Sequence, residues 1–365
     1  MKFEVVLDDF ARTIHSASRF AERRANLPVL GSVLIVAEDG RLVVRATNLE
    51  CGVEIVCKAK VGQGGTVAVP AATLSGFLSN ARGKTVSGVL VGEVFKVETQ
   101  SASASIKTLP HDDFPVLPRV SANNSFSVKA ADLVRAIQSV AYCASFSAVK
   151  PELQSVLIYG EGGKLVAVAT DSFRLAEKVV PLGKGGSVPH LLLPARNAAE
   201  LVRLLEGAGG ESEVYYNEHQ LSTQIGEVYY TSRLLDGSFP NYRQIIPKSF
   251  TTEAVVLREE IAAALKSLSV FADKFAQVSL ALEPAKKALL LTSRNPDVGE
   301  QTSTVKATIA GDKVTVSFNG RYLADSLQSI AGDSVRLHSN GPGKAMLIKD
   351  AADASFLYLA MPMNR

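Results

Sequence analysis

The sequence predicts an α+β fold built from three repeated units, each with two helices and antiparallel sheets. Three markers predict it. A short strand runs into an amphipathic helix at Val5, Phe10, Ile14 and Ala17, again at Val128, Leu133, Ile137 and Val140, and again at Val256, Ile261, Leu265 and Leu268. Ala46-Thr47-Asn48 is followed by Ala169-Thr170-Asp171 and then by Thr292-Ser293-Arg294. Val69-Pro70, Leu193-Pro194 and Phe318-Asn319 each open a second helical pattern. The copies are offset by about 123 to 128 residues, one third of a 365-residue chain. A fixed period of this kind marks a repeat architecture, and the length exceeds one ordinary core.

Taken in order, each unit reads strand, helix, several strands, helix, several strands. Arg41–Ala46 and Lys164–Ala169 alternate as strands do. Gly62-Gln63-Gly64-Gly65 and Gly183-Lys184-Gly185-Gly186 read as turns between strands, and Gly341-Pro342-Gly343-Lys344 as a tight hairpin. The joins fall at Pro110–Ser125 and Tyr242–Thr251, marked by the equivalent pairs Phe114-Pro115 and Phe239-Pro240. The expected domains are therefore 1–119, 120–248 and 249–365.

Composition excludes several classes. With 47% hydrophobic and 21% charged residues the chain is neither disordered nor low-complexity. Three cysteines make no disulfide scaffold and suit a reducing compartment. The N-terminus meets Asp8 and Asp9 too soon for a secretory signal. No apolar run approaches the ~18–20 residues of a membrane span, so the expected location is the cytoplasm. A net charge of +3 is far below that of a tight nucleic-acid binder, so any such contact must rest on where the charge sits.

At about 100° per residue the first helix puts Phe10, Ile14, Ala17 and Ala21 on one side and Arg12, His15, Ser16, Arg19 and Arg23 on the other. The second copy sets Leu133, Ile137, Val140 and Ala144 against Arg135 and Gln138, with Arg135 at the phase of Arg12. The third sets Ile261, Leu265 and Leu268 against Lys266 and Lys274. The second helices add Arg196, Arg203 and Arg321, and the repeat makes Arg196 and Arg321 equivalent. A solvated polar face is the ordinary explanation for one such helix. Equivalent basic faces on repeated units point instead to a shared phosphate-rich partner. No aromatic residues interleave to stack on bases, and no helix has the dense cluster of a recognition helix, so the contact would be to backbone without sequence readout.

Catalytic motifs are missing. There is no P-loop, no Gly-x-Ser-x-Gly elbow and no His-Glu-x-x-His. The five histidines have no metal spacing, and Cys51 and Cys57 would share one face of a strand as packing residues. His111-Asp112-Asp113 could mimic an acid–base or metal cluster, but it sits among linker prolines where solvated polar residues are ordinary. Nothing calls for a metal or a cofactor.

Further segments run from end to end of the chain: Leu27-Pro28-Val29-Leu30-Gly31, Ala169-Thr170-Asp171-Ser172-Phe173-Arg174-Leu175-Ala176, Asp236-Gly237-Ser238-Phe239-Pro240-Asn241-Tyr242-Arg243, Ile246-Pro247-Lys248 and the terminal Met361-Pro362-Met363. By these the chain resembles the bacterial β sliding clamps, the processivity subunits of DNA polymerase III. The resemblance implies a non-enzymatic homodimer whose two three-unit chains close head to tail into a ring, helices lining the hole and sheets outside. The ring would encircle double-stranded DNA without sequence preference and tether the replicative polymerase at high effective concentration. The edge near Ser101–Thr108, small and polar, would pair with the third unit of the partner. By matching position, Arg24 and Lys150 are loop residues expected to touch DNA.

The resemblance also implies a pocket between the second and third units that takes a short peptide from the polymerase, the clamp loader, repair polymerases and mismatch-repair proteins. Its walls would be Leu153, Thr170, Leu175, Pro240, Ile245 and Met361, with Ser172, Phe173, Arg174, Pro362 and Met363 at its margins and Phe275, Asn319 and Tyr322 further along. Read without the resemblance, Leu153, Leu175 and Ile245 are core. Two departures stand out: Ser172-Phe173 where the family often has Gly-His, and a Met363-Asn364-Arg365 end where a basic residue usually follows directly. Two other readings stay open, a clamp-like peptide-binding paralogue that does not encircle DNA, and an enzyme using His111, Asp112 and Asp113.

Overall fold

The computed structural model describes residues 1–22, 27–121, 124–147, 149–183 and 187–363. Its six α-helices among the described residues fall two to a repeat: α1 (Leu7–Ser18), α2 (Ala71–Asn80), α3 (Ala130–Val140), α4 (Ala195–Leu205), α5 (Arg258–Leu268) and α6 (Gly320–Leu327). Asp8 and Asp9 in the first turn of α1, and Glu259 and Glu260 in that of α5, complement the positive end of the helix dipole. The side chain of Asn319 caps α6 by accepting from the Arg321 N–H at 2.9 Å. All twelve stripe residues of the repeated strand–helix marker are buried, at about 1.5–3 kcal/mol for each large apolar side chain.

Three helix ends differ from the sequence reading: α3 stops at Val140, and Ala144 lies beyond it after the 3₁₀ turn Ala141–Cys143. α1 stops at Ser18, so Arg19 is its cap rather than a face residue; the next residue, Phe20, turns inward against the Tyr230 ring at 6.1 Å. α5 stops at Leu268, and Lys274 lies in the loop beyond it, not on the helix. The Asp273 carboxylate accepts from the Phe275 and Gln277 N–H groups there and folds the chain into a turn. Gly62 also lies within a strand, Lys60–Gln63, not in a turn.

The chain divides into two compact units. One comprises Met1–Ala131 with Gly183–Gly186 and Glu200–Leu234; the other comprises Asp132–Leu182 with Ser187–Ala199 and Leu235–Arg365. In the first unit a five-stranded antiparallel sheet runs Lys60–Gln63, Lys2–Val6, Thr85–Val91, Val94–Thr99, Ser103–Lys107. Beside it an eight-stranded sheet runs Ser125–Lys129, Glu211–Tyr216, Gln220–Ile225, Val228–Arg233, Cys51–Lys58, Arg41–Thr47, Ser32–Glu38, Gly65–Pro70. The second unit holds one twelve-stranded sheet: Leu191–Pro194, Ser155–Glu161, Lys164–Thr170, Arg174–Pro181, Phe356–Ala360, Met346–Asp350, Ser334–Ser339, Thr252–Leu257, Gly299–Gly311, Ala288–Asn295, Gln277–Glu283, Val314–Asn319.

The middle repeat thus lends strands to both units. In one, Val228–Arg233 pairs with Cys51–Lys58 of the first repeat. In the other, Arg174–Pro181 pairs with Phe356–Ala360 of the third. Pairing register also fixes the repeat residue by residue. Ile35 lies between Val44 and Val67, Ile158 between Ala167 and Leu191, and Leu280 between Leu291 and Val316. Ser293, not Thr292, therefore stands where Ala46 and Ala169 stand, and the third copy of the marker is Ser293-Arg294-Asn295. Asn295 then takes the place of Asn48 and Asp171, and like them it accepts a backbone N–H two residues on, from Asp297 at 3.0 Å.

Candidate functional site

The two seams between repeats use the same turn. Thr47 Oγ1 donates to the Cys51 carbonyl, and Asn48 Oδ1 accepts from the Glu50 and Cys51 N–H groups. Thr170 Oγ1 donates to the Arg174 carbonyl, and Asp171 Oδ1 accepts from the Phe173 and Arg174 N–H groups. Leu49 and Ser172, at φ 72° and 77°, take the left-handed conformation that the turn requires. Across each seam one N–H donates to the turn: Arg233 to the Glu50 carbonyl at 2.8 Å, Met361 to the Phe173 carbonyl at 2.9 Å.

The residues that the resemblance assigns to a peptide pocket all lie in the second unit. Leu153, Thr170 and Leu175 are buried, and Leu153 and Leu175 belong to a core cluster with Phe239, Tyr242, Leu347 and Leu359. Phe173 is 62% exposed, Phe275 55%, Ile245 53% and Met361 41%, large apolar side chains left uncovered. Pro240 is exposed beside the 3₁₀ turn Tyr242–Ile245, and Pro362 and Met363 are half-buried, with the Met363 N–H donating to the Ser317 carbonyl at 2.8 Å. Lys274 lies 5.0 Å from the centre of the Phe275 ring.

Arg174 stands at the centre. It is 8% exposed. Its Nε donates to Asp171 at 3.1 Å, Nη1 to Asp325 at 2.6 Å and Nη2 to the Tyr142 carbonyl at 2.7 Å, while its guanidinium stacks 4.3 Å above the Tyr322 ring. A guanidinium with this many partners pins elements rather than waiting for a ligand. Tyr358, with its hydroxyl donating to the Tyr322 carbonyl at 2.8 Å, packs beneath. Asp171, Asp325, Tyr142 and Tyr358 were not singled out as site residues from sequence. Asp171 could have been, because it stands inside a repeat marker; the others come from distant segments and carry no local signal.

The basic helix residues divide in two. Arg12 pairs with Asp9 at 2.5 Å, Arg135 with Asp132 at 3.6 Å, and Arg19 (2.9 Å) and Arg203 both reach Glu200. Arg196, Lys266, Arg321 and Lys150 are exposed and carry no ion pair among the described residues. Arg23 and Arg24 lie outside the described residues. His111 and Asp112 stand 3.9 Å apart in an open linker. Among the described residues no group of three His, Cys, Asp or Glu side chains could hold a metal ion, and no helix is long and apolar enough to cross a membrane. Burial pushes the Cys51 thiol up to about 12 and the Cys57 thiol up to about 11, which leaves both unreactive.

Comparison with known proteins gives the frame. Family profiles for the N-terminal, central and C-terminal domains of the DNA polymerase III beta subunit match residues 1–118, 127–241 and 243–364. The chain is 28% identical over 369 residues to the beta sliding clamp of Escherichia coli K12, covering all of both chains. Among solved structures it superposes on a sliding clamp of Pseudomonas aeruginosa bound to griselimycin, with TM-score 0.94, 26% identity and all of both chains covered. A griselimycin-bound clamp of Bartonella birtlesii gives TM-score 0.94 at 25% identity, again over all of both chains. Over nearly its whole length the chain belongs to the DNA polymerase III beta-subunit family, and it works as a DNA sliding clamp.

Proposed function

We propose that two copies of this chain close head to tail into a ring around duplex DNA and hold the replicative polymerase, the clamp loader, repair polymerases and mismatch-repair proteins through peptides seated in the Phe173–Met361 groove. The chain is then non-enzymatic and acts in the cytoplasm, with clamp domains at 1–119, 120–248 and 249–365. Arg196, Lys266, Arg321 and Lys150 supply weak, sequence-blind contacts to the DNA backbone, joined by Arg12, Arg19, Arg135 and Arg203 whose paired acids temper the field, and by Arg23 and Arg24.

One observation carries the ring: two seams are made within the chain and the two strand edges for a third are left over. By register Tyr230 and Tyr358 are equivalent, facing Val53 and Ala176, and the strand position that answers them in the first repeat is Ala104. The position equivalent to Val53 and Ala176 in the third repeat is Gln301, which faces Ser293. Both Ser103–Lys107 and the first half of Gly299–Gly311 pair on one side only among the described residues. A second copy that repeats the seam sets its Ala104 against Gln301, and the same contact on the other side closes the ring. That seam has an alanine where each internal seam has a buried tyrosine, so it is the weakest of the three.

The test is retention on circular DNA after loading by a cognate clamp loader, with the mass of the free protein measured alongside. The expected result is a dimer that stays on circles at high salt and is lost when the circle is cut. Equal retention on linear DNA would sink the topological mechanism. A monomer retained on neither, yet binding griselimycin, would favour the peptide-binding paralogue that the polar Ser103–Lys107 edge suggests.

A further inference from the structure

One corner of the third repeat differs in charge from its two counterparts. The strand Gly299–Gly311 changes partner there: Lys306 faces Ala288, and Ala307 faces Val256. Between the diverging strands opens a cavity of about 500 Å³, lined by Lys286, Lys287, Lys306, Thr308, Ser334 and Leu257 over a floor of Val256 and Ala307. All three lysines are exposed and none has an ion pair among the described residues. No carboxylate lines the cavity. Glu283, at the start of the same turn, pairs with Lys313 at 2.7 Å and also feels the charge of Lys286, which leaves Lys287 and Lys306 without a neighbouring carboxylate among the described residues.

The fold does not require these lysines. The same corner closes in all three repeats by one backbone bond, from Ala59 N–H to the Gly40 carbonyl, Leu182 N–H to the Gly163 carbonyl and Ala307 N–H to the Lys287 carbonyl. Lys286-Lys287 accordingly replaces Asp39-Gly40 and Gly162-Gly163, and Lys306 stands where the others have Lys58 and Pro181. Lys287 sits at φ 48°, in the left-handed region where its counterparts Gly40 (φ 75°) and Gly163 (φ 73°) are glycines. A lysine there is held against the local backbone preference. Self-repulsion among three converging ammonium groups adds to that cost unless an anion offsets it.

We propose that this corner binds a multiply charged phosphate anion. Lysine recognises phosphate as a point charge, three of them line one cavity, two from the turn and one from the strand Gly299–Gly311, and the Thr308 and Ser334 hydroxyls add neutral donors. The phosphate can belong to a free pyrophosphate-type ion or to a nucleic-acid strand; the chemistry is shared and the two sources are separated by competition. The site lies outside both the groove and the basic helix faces, and it stands or falls independently of the ring.

The experiment is calorimetric titration of the full chain with inorganic pyrophosphate at low salt, then with single-stranded oligothymidylate as competitor. The expected result is saturable pyrophosphate binding with Kd below about 1 mM. It should weaken at least about tenfold in the triple variant Lys286→Gln, Lys287→Gly, Lys306→Gln, and fall as salt is raised. Lys287→Gly restores a residue the other repeats use, so the variant should fold, and an unchanged melting midpoint without ligand checks this. Lys96→Gln, at an exposed lysine on the strand Val94–Thr99, should leave pyrophosphate binding intact. Displacement of pyrophosphate by oligothymidylate in the wild type identifies a nucleic-acid strand as the source; no displacement identifies the free ion. Absence of saturation, equal binding by the triple variant, or saturation by polyglutamate but not by pyrophosphate would overturn the proposal.

Discussion

The seam of the first unit and the seam of the second share a backbone and differ in what they present. At the turn, Glu50 stands where Phe173 stands, and Cys51 where Arg174 stands. On the facing strand Arg233 corresponds to Met361. The first mouth is therefore closed by an exposed ion pair, Arg233 to Glu50 at 3.7 Å, while the second leaves Phe173 and Met361 bare. The first seam is held by apolar packing, with buried Val53 facing Tyr230 and buried Ile55 facing Val228; the second is held by a buried arginine. One turn can thus close on an ion pair or leave two large apolar side chains uncovered. The choice is made by two side chains at the mouth and one at the centre.

Removing the central residue should separate the seams most. Arg174→Ala leaves Asp171 and Asp325 without their cation and the Tyr142 carbonyl without its donor, an expected loss of about 3–5 kcal/mol. Cys51→Ala removes a small buried side chain and should cost about 1 kcal/mol. Urea denaturation of the two variants measures both, and equal losses would mean that the guanidinium does not hold the second seam. At the mouth, Phe173→Glu and Met361→Ala should each weaken binding of the polymerase peptide proposed above at least about tenfold, near 1.4 kcal/mol, with little change in stability because both side chains are exposed. Glu50→Ala should leave that binding unchanged. If Phe173→Glu binds as the wild type does, the groove lies elsewhere. Tyr358→Phe, which removes the hydroxyl donated to the Tyr322 carbonyl, should cost about 1 kcal/mol in the same denaturation measurement.

How far the sequence reveals this follows from the range of each interaction. The stripes of α1, α3 and α5 are legible because a helix writes its buried face at a fixed local period, and every stripe residue within those helices is buried; Ala21, beyond the end of α1, is half-buried. The ends of α1 and α5 are not, because Phe20 leaves its helix to pack on Tyr230, more than two hundred residues away in sequence. The third marker is misplaced by spacing because the turn before Ala288–Asn295 is longer: Glu283 pairs with Ala288, where Glu38 pairs with Arg41 and Glu161 with Lys164, and spacing alone cannot place an insertion within a turn. Within the groove, the turn residues Thr170, Phe173 and Arg174 and the terminal Met361 are legible as motif. The partners of Arg174 are not, since the 3₁₀ turn Ala141–Cys143, α6 and the strand Phe356–Ala360 meet it only in three dimensions. The residues that distinguish the mouths, Phe173 against Glu50, are visible in sequence but mean nothing until register makes them equivalent.

The smallest expected difference is in acid. Lys178 occupies in the second seam the buried position that Ile55 occupies in the first, and its ammonium lies 3.0 Å from Asp353 and 2.6 Å from the Ser355 hydroxyl. Burial raises the Asp353 carboxyl, but hydrogen bonds from Ser355 and Lys178 outweigh it and hold the group at about 2 against an ordinary 3.8. A depressed carboxylate contributes stability that is complete above its unfolded value and is lost as pH falls from about 3.8 through about 2. Asp353 is 45% exposed, so solvent screening keeps the contribution below about 1 kcal/mol. The stability gap between wild type and Asp353→Asn should therefore narrow as pH falls from about 4 towards about 2, whereas the gap for Ile55→Val, which involves no titrating group, should stay level. A gap for Asp353→Asn that is equally level would show that Lys178 is held by Ser355 and by burial rather than by the carboxylate, and that the two seams differ in shape but not in charge at this depth.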